Sequence, residues 1–169
     1  MSFSRFLLIM CLSSVLVACG FKLRGDHSLP AGYKHLHVES MHSHAPLKRA
    51  LNKRLEIYNI VPVVDMAKES HVHTITITLA PEKLERRLLS VFSTGQVAEY
   101  ELILGVPYTV KFGDNDLIEA YFEVVRDYQD DPDQVLAKSR ELELVLSEMR
   151  REAADRIIRR LSSQSTTRI

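Results

Sequence analysis

From Ala98 to Val110 the chain alternates without a break, with Ala98, Tyr100, Leu102, Leu104, Val106, Tyr108 and Val110 on one parity and Glu99, Glu101, Thr109 and Lys111 on the other. A period of two at this length fixes an extended strand with one apolar face, because successive side chains in a strand point to opposite sides. Such a strand needs neighbours, and the flanking sequence supplies them. Ser93-Thr94-Gly95 before it and Gly113-Asp114-Asn115-Asp116 after it are turn-forming, so both neighbours return antiparallel. Downstream, Ile118, Ala120, Phe122 and Val124 alternate with Glu119, Tyr121 and Glu123. Upstream, Ile75, Ile77 and Leu79 alternate with Thr76 and Thr78, and Leu84 to Phe92 resumes the run after Pro81. That predicts one long strand with a bulge or an edge position at the proline.

Helical periodicity brackets this meander. Lys34 to Glu39 alternates as a first strand, and Ser43 can cap a helix with Pro46 near its start. Its apolar face is Leu47, Ala50, Leu51, Leu55 and Tyr58, and Asn59 ends it. Asp131 to Gln134 combines a capping acid, a first-turn proline and a capping-box partner, the start of a long helix. The stripe of that helix is Val135, Leu142, Val145, Leu146, Met149, Ala153, Ile157 and Leu161, with Glu152 and Arg156, and Asp155 and Arg159, as ion pairs on the wet side. The order β-α-β-β-β-α predicts an α/β two-layer sandwich, a four-stranded, mostly antiparallel sheet with two helices on one face. The domain spans 34–162, and the polar tail 163–169 is expected to be disordered.

The N-terminus decides the compartment. Arg5 precedes an apolar stretch, Phe6 to Val17, that at about a dozen residues is short of the ~20 a spanning helix needs. It ends in Leu16-Val17-Ala18-Cys19, which resembles the lipobox of bacterial lipoproteins. Residues 1–18 are thus expected to be a cleaved signal, and Cys19 the N-palmitoyl, S-diacylglycerol cysteine that opens a tether spanning 19–33. Three acyl chains at about 0.8 kcal/mol per buried methylene anchor a protein stably. The other cysteine, Cys11, leaves with the signal, so the mature chain has neither a disulfide nor a thiolate metal site. Gly20 stands where an aspartate would retain enteric lipoproteins at the inner membrane, so the resemblance implies the outer membrane.

Little in the chain suggests bond-breaking chemistry. Lysine plus arginine equals aspartate plus glutamate at 22 each, which gives no global field for nucleic acid. No G-x-S-x-G, phosphate-loop, G-x-G-x-x-G or H-E-x-x-H pattern occurs, so no enzyme and no cofactor is expected. Asp130, Asp131 and Asp133 read as a helix cap. Three H-x-H pairs, His35 with His37, His42 with His44 and His71 with His73, can each offer two ligands to a divalent ion, fewer than a built site needs, and no metal is expected. Lys83, Arg86 and Arg87 precede Leu88, Leu89, Val91 and Phe92, a mixture that suits an amphipathic anion, since arginine holds phosphate bidentately while apolar neighbours meet acyl chains. The same residues also fit an ordinary solvated strand end.

Nearly the whole mature chain resembles the LptE family of lipopolysaccharide-assembly lipoproteins, formerly rare lipoprotein B. The likeness rests on Cys19-Gly20-Phe21-Lys22-Leu23-Arg24, on Ser90-Val91-Phe92 followed by Gly95-Gln96-Val97-Ala98-Glu99-Tyr100, and on Leu136-Ala137-Lys138. It implies an outer-membrane lipoprotein on the periplasmic side that associates with the LptD β-barrel, assists its assembly, plugs its lumen and binds lipopolysaccharide during transport to the cell surface. Lys138 matches the family's lysine near the start of the last helix, a lipopolysaccharide-contact candidate. The family's basic residue after Val91-Phe92 is Ser93 here, within a tip formed by Phe92, Ser93, Thr94 and Gly95, so Arg86, Arg87 and Lys83 on the adjoining strand become the candidate cations. The alternative is a scaffold lipoprotein of another envelope complex that binds no glycolipid.

Overall fold

The computed structural model describes residues 29–42, 45–64, 71–131 and 133–164. Cys19, the capping Ser43, His44 and Pro132 lie outside the described residues. Strand β1 (His35–Ser40) is followed by helix α1 (Pro46–Ile57), a 3₁₀ turn (His71–His73), and strands β2 (Thr74–Leu79), β3 (Lys83–Val91), β4 (Val97–Phe112) and β5 (Leu117–Gln129). Helix α2 (Val135–Gln164) closes the chain. Its last two residues, Ser163 and Gln164, are helical, although the sequence placed them in the tail.

The sheet has five strands where alternation suggested four. Pro81 is the reason. It has no N–H to give to a ladder, so pairing lapses between Leu79 and Lys83 and one long strand becomes two. Both pieces nevertheless lie along the same edge of β4, with β2 opposite Tyr108 to Phe112 and β3 opposite Val97 to Gly105. The Ala80 amide bridges the gap by donating to the Pro107 carbonyl at 3.2 Å. β5 covers the other edge of β4 from Glu99 to Lys111. The pairing of β1 with β2 is parallel, and all other strand pairs are antiparallel.

Both helices lie on the face of the even-numbered β4 residues. Leu36, Val38, Ile75, Ile77, Leu79, Leu102, Leu104, Val106 and Val124 are buried there against Leu47, Leu51 and Leu55 of α1 and Met149, Ala153, Ala154, Ile157, Ile158 and Leu161 of α2. The spacing of three and four on each helix produces this single stripe. Complete burial of one leucine is worth about 1.5–3 kcal/mol, so the layer of fully buried aliphatic side chains dominates stability. Helix α1 stops because Asn59 takes a left-handed backbone (φ 57°) and the Ile60 amide donates back to the Leu55 carbonyl at 2.9 Å.

An ion pair staples the two helices. Arg54 donates Nε and Nη2 to the two carboxylate oxygens of Asp155 at 2.7 and 2.8 Å, and its guanidinium stands over the Tyr58 ring. Asp155 therefore pairs across the helix interface and not with Arg159, because it sits on the half-buried flank of α2 that faces α1. The expected pair of Glu152 with Arg156 does form, at 2.7 Å. Val135, assigned to the buried stripe, is exposed, since the first turn of α2 extends past the core.

Candidate functional site

Strand pairing sorts the basic residues of β3 onto two faces. Directly paired residues in an antiparallel sheet point to the same side. Leu84 faces Leu104, Arg86 faces Leu102 and Leu88 faces Tyr100, so these three project on the helix side. Lys83 opposite Gly105 and Arg87 opposite Glu101 project on the other side, where Arg87 donates to Glu101 at 2.7 Å. A bulge at Leu89 then shifts the register so that Ser90, like Arg87, lies on the side away from the helices and donates to Glu99 at 2.9 Å. The four candidate cations are not one cluster.

The helix side of this region has a layered floor. Leu88, Tyr100 and Tyr128 form one row across β3, β4 and β5, and Arg86, Leu102 and Arg126 form the next. Lys138, on the first turns of α2, lies over the Tyr128 ring at 5.6 Å and pairs with Glu141 at 2.9 Å, while the Tyr128 hydroxyl donates to the Lys138 carbonyl at 2.7 Å. Burial is the main cause that raises the Tyr128 phenol above its ordinary value, with Asp130 and Glu141 adding to it and Lys138 and Arg86 opposing it. Lys138 thus sits on the Tyr128 ring, and Arg86 shares the same side of the sheet, one row along and two strands across. Hydrogen bonding to Glu141 raises the Lys138 ammonium, so it stays charged across physiological pH.

Arg126 was not singled out in the sequence, because a charged residue in an alternating strand reads as solvated. In the fold it shares the helix face with Val124 and Tyr128 and pairs with Glu152 of α2. Its parity with Val124 was the available signal. Arg86 has no hydrogen bond or ion pair among the described residues, and Leu84 and Leu88 beside it are substantially exposed. The arrangement offers an uncommitted guanidinium and an ammonium over tyrosine and leucine, which suits a molecule with anionic groups next to hydrocarbon.

The tip itself carries no charge. Phe92 donates its amide to the Gln96 carbonyl at 2.8 Å, Gly95 turns the chain at φ 84°, and Ser93 and Thr94 are exposed between them. Of the histidines, His37 presents Nδ1 to the Val63 carbonyl at 2.7 Å and Nε2 to Glu39 at 3.2 Å, and His73 presents Nδ1 to the Gly32 carbonyl at 3.0 Å. Among the described residues no three histidine, cysteine or acidic side chains gather as metal ligands do.

Among the described residues, a two-layer α/β sandwich with both helices on one side of its sheet carries Arg86 and Lys138 on that side, above tyrosine and leucine. Comparison with known proteins narrows this. The family model for LptE, lipopolysaccharide-assembly, matches residues 33–161, and the chain belongs to the LptE family. It is 33% identical over 147 residues to the LPS-assembly lipoprotein LptE of Yersinia pestis (strain Pestoides F), covering 87% of this chain and 70% of that one. Among solved structures it is similar to the rare lipoprotein B of Shewanella oneidensis, at 39% identity and a TM-score of 0.68 over 79% of this chain and 97% of that one. The fold is also that of an uncharacterized lipoprotein B from Nitrosomonas europaea, with a TM-score of 0.68 at 24% identity over 88% of this chain and 94% of that one.

Proposed function

We propose that this chain is an outer-membrane lipoprotein, anchored through acyl chains on Cys19, that associates with the LptD barrel, assists its assembly, plugs its lumen and binds lipopolysaccharide on its way to the cell surface. Family membership supports the assembly role. The observation that carries the ligand reading is that Arg86 and Lys138 lie on the same side of the sheet as the Tyr128 ring and the exposed Leu84 and Leu88. Lipopolysaccharide joins phosphates to acyl chains. Arg86 and Lys138 meet the phosphates, and the leucines lie against hydrocarbon.

The reading ranks the four candidate cations. Arg86 and Lys138 are contacts, whereas Lys83 and Arg87 face away from that floor. Binding of lipopolysaccharide to the purified full-length protein should fall about tenfold, roughly 1.4 kcal/mol, in R86E/K138E and change little in K83E/R87E. Equal affinity of wild type and R86E/K138E at low salt would remove the glycolipid role and leave the scaffold.

A further inference from the structure

The seam between β5 and α2 brings together two arginines that the ligand reading does not use. Arg126 shares the helix side of β5 with Phe122, Val124 and Tyr128, and Arg156 comes down from α2 onto the Phe122 ring, its guanidinium carbon 5.8 Å from the ring centre. Backbone carbonyls hold both. Arg126 Nη1 donates to the Val125 carbonyl at 2.9 Å, and Arg156 Nη1 donates to the Glu123 carbonyl at 2.8 Å. Guanidiniums held in this way have already given up part of the rotamer freedom that an incoming anion would otherwise have to restrict.

Between them stands a single carboxylate. Glu152 accepts from Arg156 Nη2 on Oε1 at 2.7 Å and from Arg126 Nη2 on Oε2. One negative charge therefore answers two positive ones. The geometry matters as much as the sum: guanidiniums that reach the two oxygens of one carboxylate are spaced to reach two oxygens of one phosphate, which offers a third oxygen and close to twice the charge. Both arginine side chains are more than 40% exposed, so the bridge through Glu152 is a surface one that exchanges readily. Two residues further along β5, about 7 Å, Lys138 lies over the Tyr128 ring. The seam thus runs from Arg156 on Phe122, through Arg126, to Lys138 on Tyr128.

We propose that Arg126 and Arg156 form a second phosphate subsite for the ligand that Arg86 and Lys138 meet, and that Glu152 is its built-in competitor. This rests on the glycolipid reading given above and adds a separate point of attachment along the seam. A phosphate monoester enters between the two guanidiniums, Glu152 swings out to solvent, and the phosphate takes over both of its contacts. Because the entering group has to displace a carboxylate, the subsite favours a doubly charged phosphate over a singly charged group such as a sugar carboxylate. Its grip weakens as salt rises, since the arginines are solvated.

The test is equilibrium binding of the purified full-length protein to lipopolysaccharide, to the same lipopolysaccharide stripped of its phosphates, and to inorganic phosphate. R126Q/R156Q should bind lipopolysaccharide about fivefold more weakly than wild type, and E152Q, which removes the competitor and leaves both arginines, about threefold more tightly. E148Q makes the same change of charge one helical turn away, where Glu148 pairs with Arg151, and should match wild type. The phosphate-stripped glycolipid should not distinguish these proteins. A tighter E152Q separates a subsite from a mere bridge, because cutting a contact that only holds α2 to β5 does not improve binding. Should R126Q/R156Q lose its circular dichroism spectrum, R126K/R156K takes its place; it keeps the charge, gives up the fork and should show an intermediate loss. Equal affinity of wild type, E152Q and the folded arginine variant for lipopolysaccharide overturns the subsite, and leaves the ligand reading standing where R86E/K138E still binds more weakly. The same order of affinities for inorganic phosphate, without it for lipopolysaccharide, overturns the glycolipid as the source of the phosphate. If the wild type binds neither, the ligand reading and the subsite fail together.

Discussion

The two ends of β4 have different surroundings. Toward Phe112 it lies between β2 and β5 beneath both helices, and Val106, Tyr108 and Val110 are buried. Toward Val97 it lies between β3 and β5, and there Leu84, Leu88, Leu89 and Val91 of β3 are 40% exposed or more, while Val135 and Leu136 of α2 stand free of the core. The same alternating sequence serves both ends. Pattern makes a strand, but only a covering layer makes a core, and a segment that keeps apolar side chains without such cover has them available for another molecule.

Substitutions at each end should separate the two regions. The largest effect is expected at the covered end, where Leu51 is fully buried: Leu51→Ala should cost about 2–5 kcal/mol in a denaturant titration through lost burial and a residual cavity. Next comes the staple between the helices. Arg54→Ala leaves the half-buried Asp155 without its bidentate partner, and a loss of about 1–3 kcal/mol should appear in the same titration. At the uncovered end, Leu88→Ala should stay within about 0.5 kcal/mol of wild type while weakening glycolipid binding. A Leu88→Ala cost as large as that of Leu51→Ala would erase the distinction between the ends.

The smallest effect is an alkaline one. Tyr128 ionises near 10 when unfolded, and its folded value is raised, chiefly by burial. Its contribution is therefore complete below pH 10 and declines as pH climbs through the raised value. Stability measured from pH 9 upward should fall less steeply in Tyr128→Phe than in wild type. Identical slopes would show that the phenol does not sense its buried position.

Much of this architecture can be read along the chain because periodicity reports which face of an element is covered. The alternation around Leu102 to Val110, the stripe from Met149 to Leu161 and the stop at Asn59 all follow from local geometry. What escaped depends on partners distant in sequence. Asp155 finds Arg54, 101 residues away, where the helical spacing pointed to Arg159. Arg86 and Arg87 are equivalent as a pair of letters, and only their register against Leu102 and Glu101 separates them. Tyr128 and Arg126 join the candidate site through cross-sheet rows that no single segment contains.

β4 also has a mechanical consequence. One uninterrupted strand runs from the turn at Gly95 into the core, registered with β5 from Glu99 to Lys111. A pull on the hairpin end along the strand axis loads these rungs together in shear, and they resist as a set without unzipping one by one. Load taken up at the hairpin is thereby passed along β4 toward the core.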